Sequence, residues 1–123
     1  MSKQKRLLYV DDEDQLRLLV KDQLTHEGYV VETAEDGDLA MEILQKQANF
    51  DVILLDIRMP RVSGIEVLKF VRKRNIPSRV VMLTAVDDLS VALEAVKNGA
   101  NDYLTKPYDL DNLLECLNRV TAK

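Results

Sequence analysis

Five short runs of β-branched and leucine residues alternate along this chain with longer segments whose apolar residues recur at helical spacing. This alternation predicts five βα units built around a parallel sheet. The first, third and fourth runs are apolar enough for strands buried on both faces, whereas the second is typical of an edge strand. The five predicted strands are residues 7–10, 30–33, 52–55, 80–83 and 103–105.

The segments between the strands carry amphipathic helical patterns with recognisable starts and ends. Ser63 and Glu66 have the spacing of a capping box at the start of the third helix. Gly28 and Gly99 stand where the first and fourth helices are expected to end. We expect the apolar face of each helix to lie on the sheet. In the first helix that face consists of Leu16, Leu19, Val20 and Leu24.

The order of these elements along the chain restricts the topology. Right-handed crossovers and helices on both faces of the sheet favour a doubly wound, flavodoxin-like α/β fold with strand order 2-1-3-4-5. The chain has 123 residues, a common size for one domain, and no linker or repeat divides it. We therefore expect one domain over residues 1–123, with no output domain.

Composition and charge narrow the class of protein. The chain is 46% hydrophobic and 31% charged, and no stretch approaches the roughly 18 apolar residues of a membrane span. The apolar run after Lys3, Lys5 and Arg6 meets acids before it reaches the length of a signal-peptide core. A net charge of −4 argues against nucleic acid as a direct partner. The single cysteine, Cys116, suits a reducing compartment, so we expect a cytoplasmic protein.

Polar residues follow four of the five predicted strands, and they are of types that a phosphoryl site needs. The carboxyl ends of parallel strands open on one edge of a sheet, so residues far apart in sequence can meet there. Taken one at a time, these residues also suit a helix start, a turn, a helix cap and an ordinary loop lysine. Their joint occurrence predicts a site. The residues are Asp11, Asp12, Asp56, Thr84 and Lys106.

A crevice that holds three carboxylates needs a compensating cation. Two unit charges about 4 Å apart repel by roughly 4 kcal/mol at an effective dielectric constant near 20. Because the site offers oxygen ligands without a nearby cysteine or histidine, Mg²⁺ is the expected ion, and Mn²⁺ fits the same ligands. The divalent charge would also allow an anionic phosphoryl group to approach.

Four motifs carry a resemblance to a known family across essentially all 123 residues. The chain resembles the receiver domain of response regulators, the phosphoacceptor module of two-component signalling. Its relatives are phosphorylated by a sensor histidine kinase or a phosphotransfer protein. The motifs are Tyr-Val-Asp-Asp-Glu at 9–13, Leu-Leu-Asp-Ile-Arg-Met-Pro at 54–60, Leu-Thr-Ala at 83–85 and Leu-Thr-Lys-Pro-Tyr at 104–108.

The resemblance implies a role for each residue of the site. Asp56 would accept the phosphoryl group from the kinase or from a small donor such as acetyl phosphate. Asp12 would bind the metal directly, Asp11 would bind it directly or through water, and the backbone carbonyl of Arg58 would complete the protein ligands together with Asp56. Lys106 would pair with a phosphoryl oxygen. Such a domain is not an enzyme in the usual sense, because it catalyses at most its own phosphorylation and dephosphorylation.

The resemblance also implies a switch and an output surface. Thr84 would move to hydrogen-bond the phosphoryl group while Tyr103 turns inward behind it. The face formed by the fourth helix, fifth strand and fifth helix would then act on an unidentified downstream effector or pair two copies as a homodimer. Arg58 lies two residues after Asp56, and Val86 lies two residues after Thr84. Neither side chain can act as a carboxylate base, so the domain is expected to hydrolyse its own phosphoryl group slowly.

Two other functions fit these residues less well than the receiver interpretation does. A phosphatase of the haloacid-dehalogenase type also forms an aspartyl phosphate, but it normally needs a second aspartate where this chain has Arg58, and 123 residues leave no room for a cap domain. A receiver-like domain that only binds partners is disfavoured because the acids, the threonine and the lysine are all present. Nucleotide-binding loops of the dinucleotide or Walker type follow none of the predicted strands.

Overall fold

Five parallel strands form one sheet within residues 4–122, the part of the chain that the computed structural model describes. Their order is β2-β1-β3-β4-β5, which confirms the predicted topology and the doubly wound, flavodoxin-like class. Each observed strand extends one or more residues beyond its predicted range. The strands are β1 Arg6–Val10, β2 Val30–Ala34, β3 Val52–Asp56, β4 Arg79–Ala85 and β5 Asp102–Lys106.

Helices cover both faces of the sheet. Side chains of α2, α3 and α4 pack with one apolar cluster, and those of α1 and α5 pack with the other. Within the described residues, none of the helices has the length and apolar character needed to cross a membrane. The helices are α1 Asp14–His26, α2 Gly37–Lys46, α3 Gly64–Lys73, α4 Leu89–Lys97 and α5 Leu110–Thr121, and a short 3₁₀ turn, Val86–Asp88, precedes α4.

The central strands supply both apolar clusters, since successive side chains of a strand point to opposite faces. In β1, Leu8 lies in the cluster below α2, α3 and α4, whereas Leu7 and Tyr9 lie in the cluster below α1 and α5. All five residues of β3 are buried, as the run of apolar residues predicted. The carboxyl end of β3 is therefore held rigidly on both sides, which positions Asp56.

Three helices begin with a side-chain cap. Ser63 Oγ accepts a hydrogen bond from the backbone N–H of Glu66 at 3.3 Å, so the hydroxyl half of the predicted capping box is present. Asp36 and Asp109 cap α2 and α5 in the same way. Gly28 follows α1 with a φ of 95°, a left-handed conformation that glycine adopts readily.

One prediction for α1 was wrong. Val20 and Leu24 are buried as expected, but Leu19 is 53% exposed. Leu19 lines a groove between α1 and the start of α5, together with residues such as Leu110 and Leu113. Adjacent residues on a helix point about 100° apart. Val20 therefore faces the sheet while Leu19 points to one side of it, and the apolar pattern of α1 is wider than the strip that touches the sheet.

Candidate functional site

The carboxyl ends of β1, β3, β4 and β5 bring the predicted polar residues to one edge of the sheet. The crevice lies where the winding of the sheet reverses, between β1 and β3, which is where ligands bind in open parallel sheets. The residues at this edge are Asp11 and Asp12 after β1, Asp56 at the end of β3, Thr84 in β4 and Lys106 at the end of β5.

Three aspartates form an acidic cluster at this edge. One carboxylate oxygen from each of Asp11, Asp12 and Asp56 lies within 4.8 Å of the other two. Asp11 is fully buried and Asp56 is 7% exposed, whereas Asp12 is exposed to solvent. Hard divalent cations such as Mg²⁺ and Mn²⁺ prefer a set of oxygen ligands of this kind. The residues present therefore fit the ion that the sequence predicts.

Asp11 is held by hydrogen bonds to both of its carboxylate oxygens. The hydroxyl of the buried Tyr9 donates to Oδ2 at 2.9 Å, and Lys106 Nζ donates to the same oxygen at 3.2 Å. The backbone N–H of Glu13 donates to Oδ1 at 2.9 Å. Tyr9 is a residue of the site that the motifs did not reveal, although a spacing of two residues along extended backbone places its side chain on the same face as that of Asp11.

Lys106 lies between two of the carboxylates. Its ammonium is 3.2 Å from Asp11 Oδ2 and 3.5 Å from Asp56 Oδ2. Burial lowers the pKa of Lys106, but the charges of Asp56 and Asp11 more than offset burial and raise this pKa above its ordinary value. Lys106 is therefore a permanent cation beside Asp56 at neutral pH.

Asp56 has a strongly perturbed acidity. The pKa of its carboxyl is raised to about 6, mainly by burial, with the charges of Asp11 and Asp12 acting in the same direction and the Lys106 ammonium acting against them. Without a bound cation, part of the Asp56 population is protonated near pH 6. A divalent ion in the acidic cluster would favour the ionised form.

Replacing Lys106 with methionine, which keeps the length of the side chain, is expected to raise the pKa of Asp56 above about 6. The reason is that the Lys106 ammonium lowers this pKa, whereas burial and the charges of Asp11 and Asp12 raise it. Carboxyl ¹³C chemical shifts, followed against pH in metal-free protein, measure the effect. An unchanged midpoint would show that the ammonium does not act on Asp56 in solution.

A small pocket of about 180 Å³ opens beside Asp56. Thr84 is 1% exposed, and its hydroxyl donates to the backbone carbonyl of Ala85 at 3.1 Å. Tyr103 lies in β5 beside Met82 of β4 and packs, half-buried, against the apolar cluster of α4. The pocket is lined by Asp56, Ile57, Arg58, Leu83, Thr84, Ala85, Asp88 and Lys106.

The side chain of Arg58 forms an ion pair that the sequence analysis missed. It pairs with Asp88, which directly precedes α4, and it lowers the pKa of the Asp88 carboxyl. The two residues are 30 positions apart, and no strand or helix period connects them. The only sequence signal was that each follows a strand that ends at the same edge of the sheet.

Comparison with known proteins identifies the family. Residues 7–118 match the response regulator receiver domain family. The chemotaxis protein CheY of Bacillus subtilis is 36% identical over 115 residues, which are 93% of this chain and 95% of that protein. The crystallised chemotaxis protein CheY4 of Vibrio cholerae has a TM-score of 0.88 at 37% identity, covering 96% of this chain and 99% of that chain.

The chain thus belongs to the response regulator receiver domain family of two-component systems. Members of this family are phosphoacceptor signalling domains rather than conventional enzymes. Some matched relatives are longer: the regulatory protein AtoC of Escherichia coli is 38% identical over 108 residues, which are 88% of this chain but only 23% of that protein. The receiver fold and signalling class predicted from the four motifs are confirmed.

Proposed function

We propose that Asp56 is the phosphoacceptor of this receiver domain. A carboxylate oxygen of Asp56 attacks the phosphorus of a histidine-kinase or phosphotransfer-protein phosphohistidine, or of a small donor such as acetyl phosphate. The new oxygen–phosphorus bond forms as the bond from phosphorus to the imidazole nitrogen or acetate oxygen breaks. The observation that carries this proposal is the position of Asp56, which lines the pocket and lies 3.5 Å from the Lys106 ammonium.

The acidic cluster is the proposed metal site. Asp12, Asp56 and the backbone carbonyl of Arg58 would hold Mg²⁺ or Mn²⁺ directly. Asp11 would bind through water, because Tyr9, Lys106 and the Glu13 N–H already donate to its two oxygens. When bound, the divalent ion supplies positive charge that stabilises the oxygens of the transferred group.

Lys106 and Thr84 complete the site. The Lys106 ammonium neutralises a phosphoryl oxygen, since transfer of this group depends mainly on positioning and charge stabilisation. The Thr84 hydroxyl exchanges the Ala85 carbonyl for a phosphoryl oxygen, and Tyr103 turns inward as it does so. These contacts differ between the two states, which is what allows a bound group to shift a conformational equilibrium.

The output surface that we propose comprises α4, β5 and α5. Its helix α4 exposes a stripe of apolar side chains, with Leu89 38%, Leu93 54% and Val96 40% exposed. The spacing of these residues places them on one face of the helix. This surface would contact a downstream effector or a second copy of the chain, in the cytoplasm and without direct contact to nucleic acid.

Intact-mass measurement after incubation with Mg²⁺ and acetyl phosphate tests the proposal. One adduct with the mass of a phosphoryl group is expected on the wild-type protein and none on Asp56→Asn. Because Arg58 and Val86 cannot act as a general base, the adduct is expected to decay slowly. An equal adduct on both proteins would place the acceptor elsewhere, and steady release of phosphate from simple esters would instead indicate a phosphatase.

A further inference from the structure

The ion pair between Arg58 and Asp88 joins the two loops that border the phosphoryl pocket. Arg58 Nε and Nη2 donate to the two carboxylate oxygens of Asp88, the second of these bonds at 2.6 Å. A paired, two-bond contact of this kind is stronger and more directional than a single one. The Arg58 side chain is 77% exposed, whereas that of Asp88 is 7% exposed. The arginine can therefore leave more easily than the aspartate.

Asp88 occupies the N-cap position of α4, yet its carboxylate does not cap the helix. The caps of α2, α3 and α5 are Asp36, Ser63 and Asp109, whose backbones are extended with ψ between 164° and 173°. Each accepts a hydrogen bond from the backbone N–H three residues later. Asp88 instead has a ψ of 19°.

The carboxylate of Asp88 thus has two alternative hydrogen-bond donors, and it cannot bind both at the same time. One is the Arg58 guanidinium, which it binds in this structure. The other is the N–H of Val91, which lies three residues after Asp88 as the capped amides of the other helices do. Reaching Val91 requires Asp88 to adopt the extended backbone of the other caps, which would undo the 3₁₀ turn Val86–Asp88.

A phosphoryl group on Asp56 would enter the pocket that both Arg58 and Asp88 line. Its negative charge attracts the guanidinium and repels the Asp88 carboxylate. Arginine also binds phosphate oxygens well through its planar set of N–H donors. The phosphoryl group therefore competes directly with Asp88 for Arg58.

We propose that Arg58 and Asp88 form a phosphate-sensitive latch. On phosphorylation Arg58 exchanges Asp88 for a phosphoryl oxygen, and the released Asp88 caps α4 through the N–H of Val91. The start of α4, with the exposed Leu89 and Leu93, moves as the 3₁₀ turn rearranges. This latch rests on the proposed phosphorylation of Asp56. It connects the phosphoryl group to α4 by a second route, in addition to the proposed movement of Thr84.

Hydrogen exchange of the Val91 amide in ¹⁵N-labelled protein reports the latch. Mg²⁺ with beryllofluoride, a mimic of the phosphoryl group, is expected to slow this exchange about fivefold, the effect of one added side-chain cap. In Arg58→Gln the same slowing is expected in the metal-free protein without beryllofluoride. In Asp88→Ala the Val91 amide is expected to show no slowing in either condition.

Arg61→Gln is the matched control, because Arg61 lies in the same loop but pairs with Asp36 and Asp38 at the start of α2. This variant is expected to leave Val91 exchange at the wild-type rate, and a slowing as large as that of Arg58→Gln would overturn the latch.

Two outcomes separate failure of the latch from failure of the proposed function. If beryllofluoride changes the chemical shift of the Ile57 amide beside Asp56 but leaves the exchange rate of the Val91 amide unchanged, the latch is wrong and the phosphoacceptor assignment stands. If neither amide responds, both proposals are wrong. Unchanged Val91 exchange in metal-free Arg58→Gln would also overturn the latch.

Discussion

Replacing Asp56 with asparagine is expected to stabilise the metal-free protein by about 2 kcal/mol at pH 8, although it removes the proposed phosphoacceptor. Asp56 is 7% exposed, and burial raises the pKa of its carboxyl to about 6 despite the nearby Lys106 ammonium. Holding this group ionised in the folded protein therefore costs free energy. Asparagine has nearly the same shape and carries no charge.

The sign of the pH dependence follows from the difference between the folded and unfolded states. An acid with a higher pKa in the folded protein binds its proton more tightly there, so the free energy of unfolding falls as the pH rises from about 4 to about 6 and then levels off. The full difference corresponds to about 3 kcal/mol. We expect about 2 kcal/mol because the pocket is open to water, which screens the charge.

Urea denaturation in the presence of a chelator measures this effect. The two proteins are expected to have equal stability near pH 4 and to diverge by pH 8. Asp111→Asn, at an exposed aspartate of α5, is the control and is expected to change stability by no more than about 0.5 kcal/mol. A stabilisation by Asp56→Asn that is equally large at pH 4 and pH 8 would contradict the linkage to Asp56 ionisation.

Magnesium is expected to remove the advantage of the asparagine variant at pH 8. A ligand that binds only the folded state stabilises it by about 2.7 kcal/mol at a concentration 100 times its Kd. The wild-type protein offers three carboxylates to the ion, whereas the variant offers two and so gains less. Repeating the urea series with saturating Mg²⁺ therefore also tests the proposed metal site.

The sheet order and the meeting of the polar residues could be predicted from the sequence because both follow from topology. Asp12 and Lys106 are 94 positions apart, yet each stands at the end of a strand, and parallel strands place all such ends on one edge. Their roles in phosphoryl transfer remain predictions. The place of a residue at a strand end depends on the backbone alone, and apolar runs in the sequence indicate where the strands lie.

Features that depend on the conformation of individual side chains could not be predicted from the sequence pattern. The resemblance implies a role only for the backbone carbonyl of Arg58, because the pairing of its side chain with Asp88 depends on how a long, exposed side chain crosses between two loops. Leu19 has the spacing of a buried residue, but the width of the covered strip on α1 depends on how α5 packs beside it. The hydrogen bond from Tyr9 to Asp11 likewise depends on how far the buried Tyr9 hydroxyl lies from the Asp11 carboxylate.

Replacing Gly64 with alanine is expected to destabilise the protein by about 3 kcal/mol or more, the largest effect of any single methyl group that we expect here. The first residue of α3 packs directly behind Asp56, and its N–H donates to the Ile57 carbonyl at 2.9 Å. A Cβ at this position would overlap the Asp56 carbonyl oxygen and come within 3.0 Å of the Ile57 Cα. Backbone atoms of a buried strand end cannot move aside cheaply.

The direction of this effect identifies its cause. Alanine is favoured over glycine in helices by up to about 1 kcal/mol, so helix propensity alone would make Gly64→Ala stabilising. The opposite result therefore measures the steric contact with the backbone of Asp56 and Ile57. Because relief of the overlap displaces Asp56, the variant is also expected to form the phosphoryl adduct more slowly.

Gly28→Ala is the matched comparison, since a Cβ at Gly28 meets nothing within 4 Å but the residue has a φ of 95°. Its cost is expected to be about 1 kcal/mol, from backbone conformation alone, with no change in the rate of adduct formation. Urea denaturation and intact-mass kinetics on both variants separate the two effects. If Gly64→Ala is as stable as the wild-type protein, α3 is free to shift away from β3, and the rigid support that we assign to Asp56 does not exist.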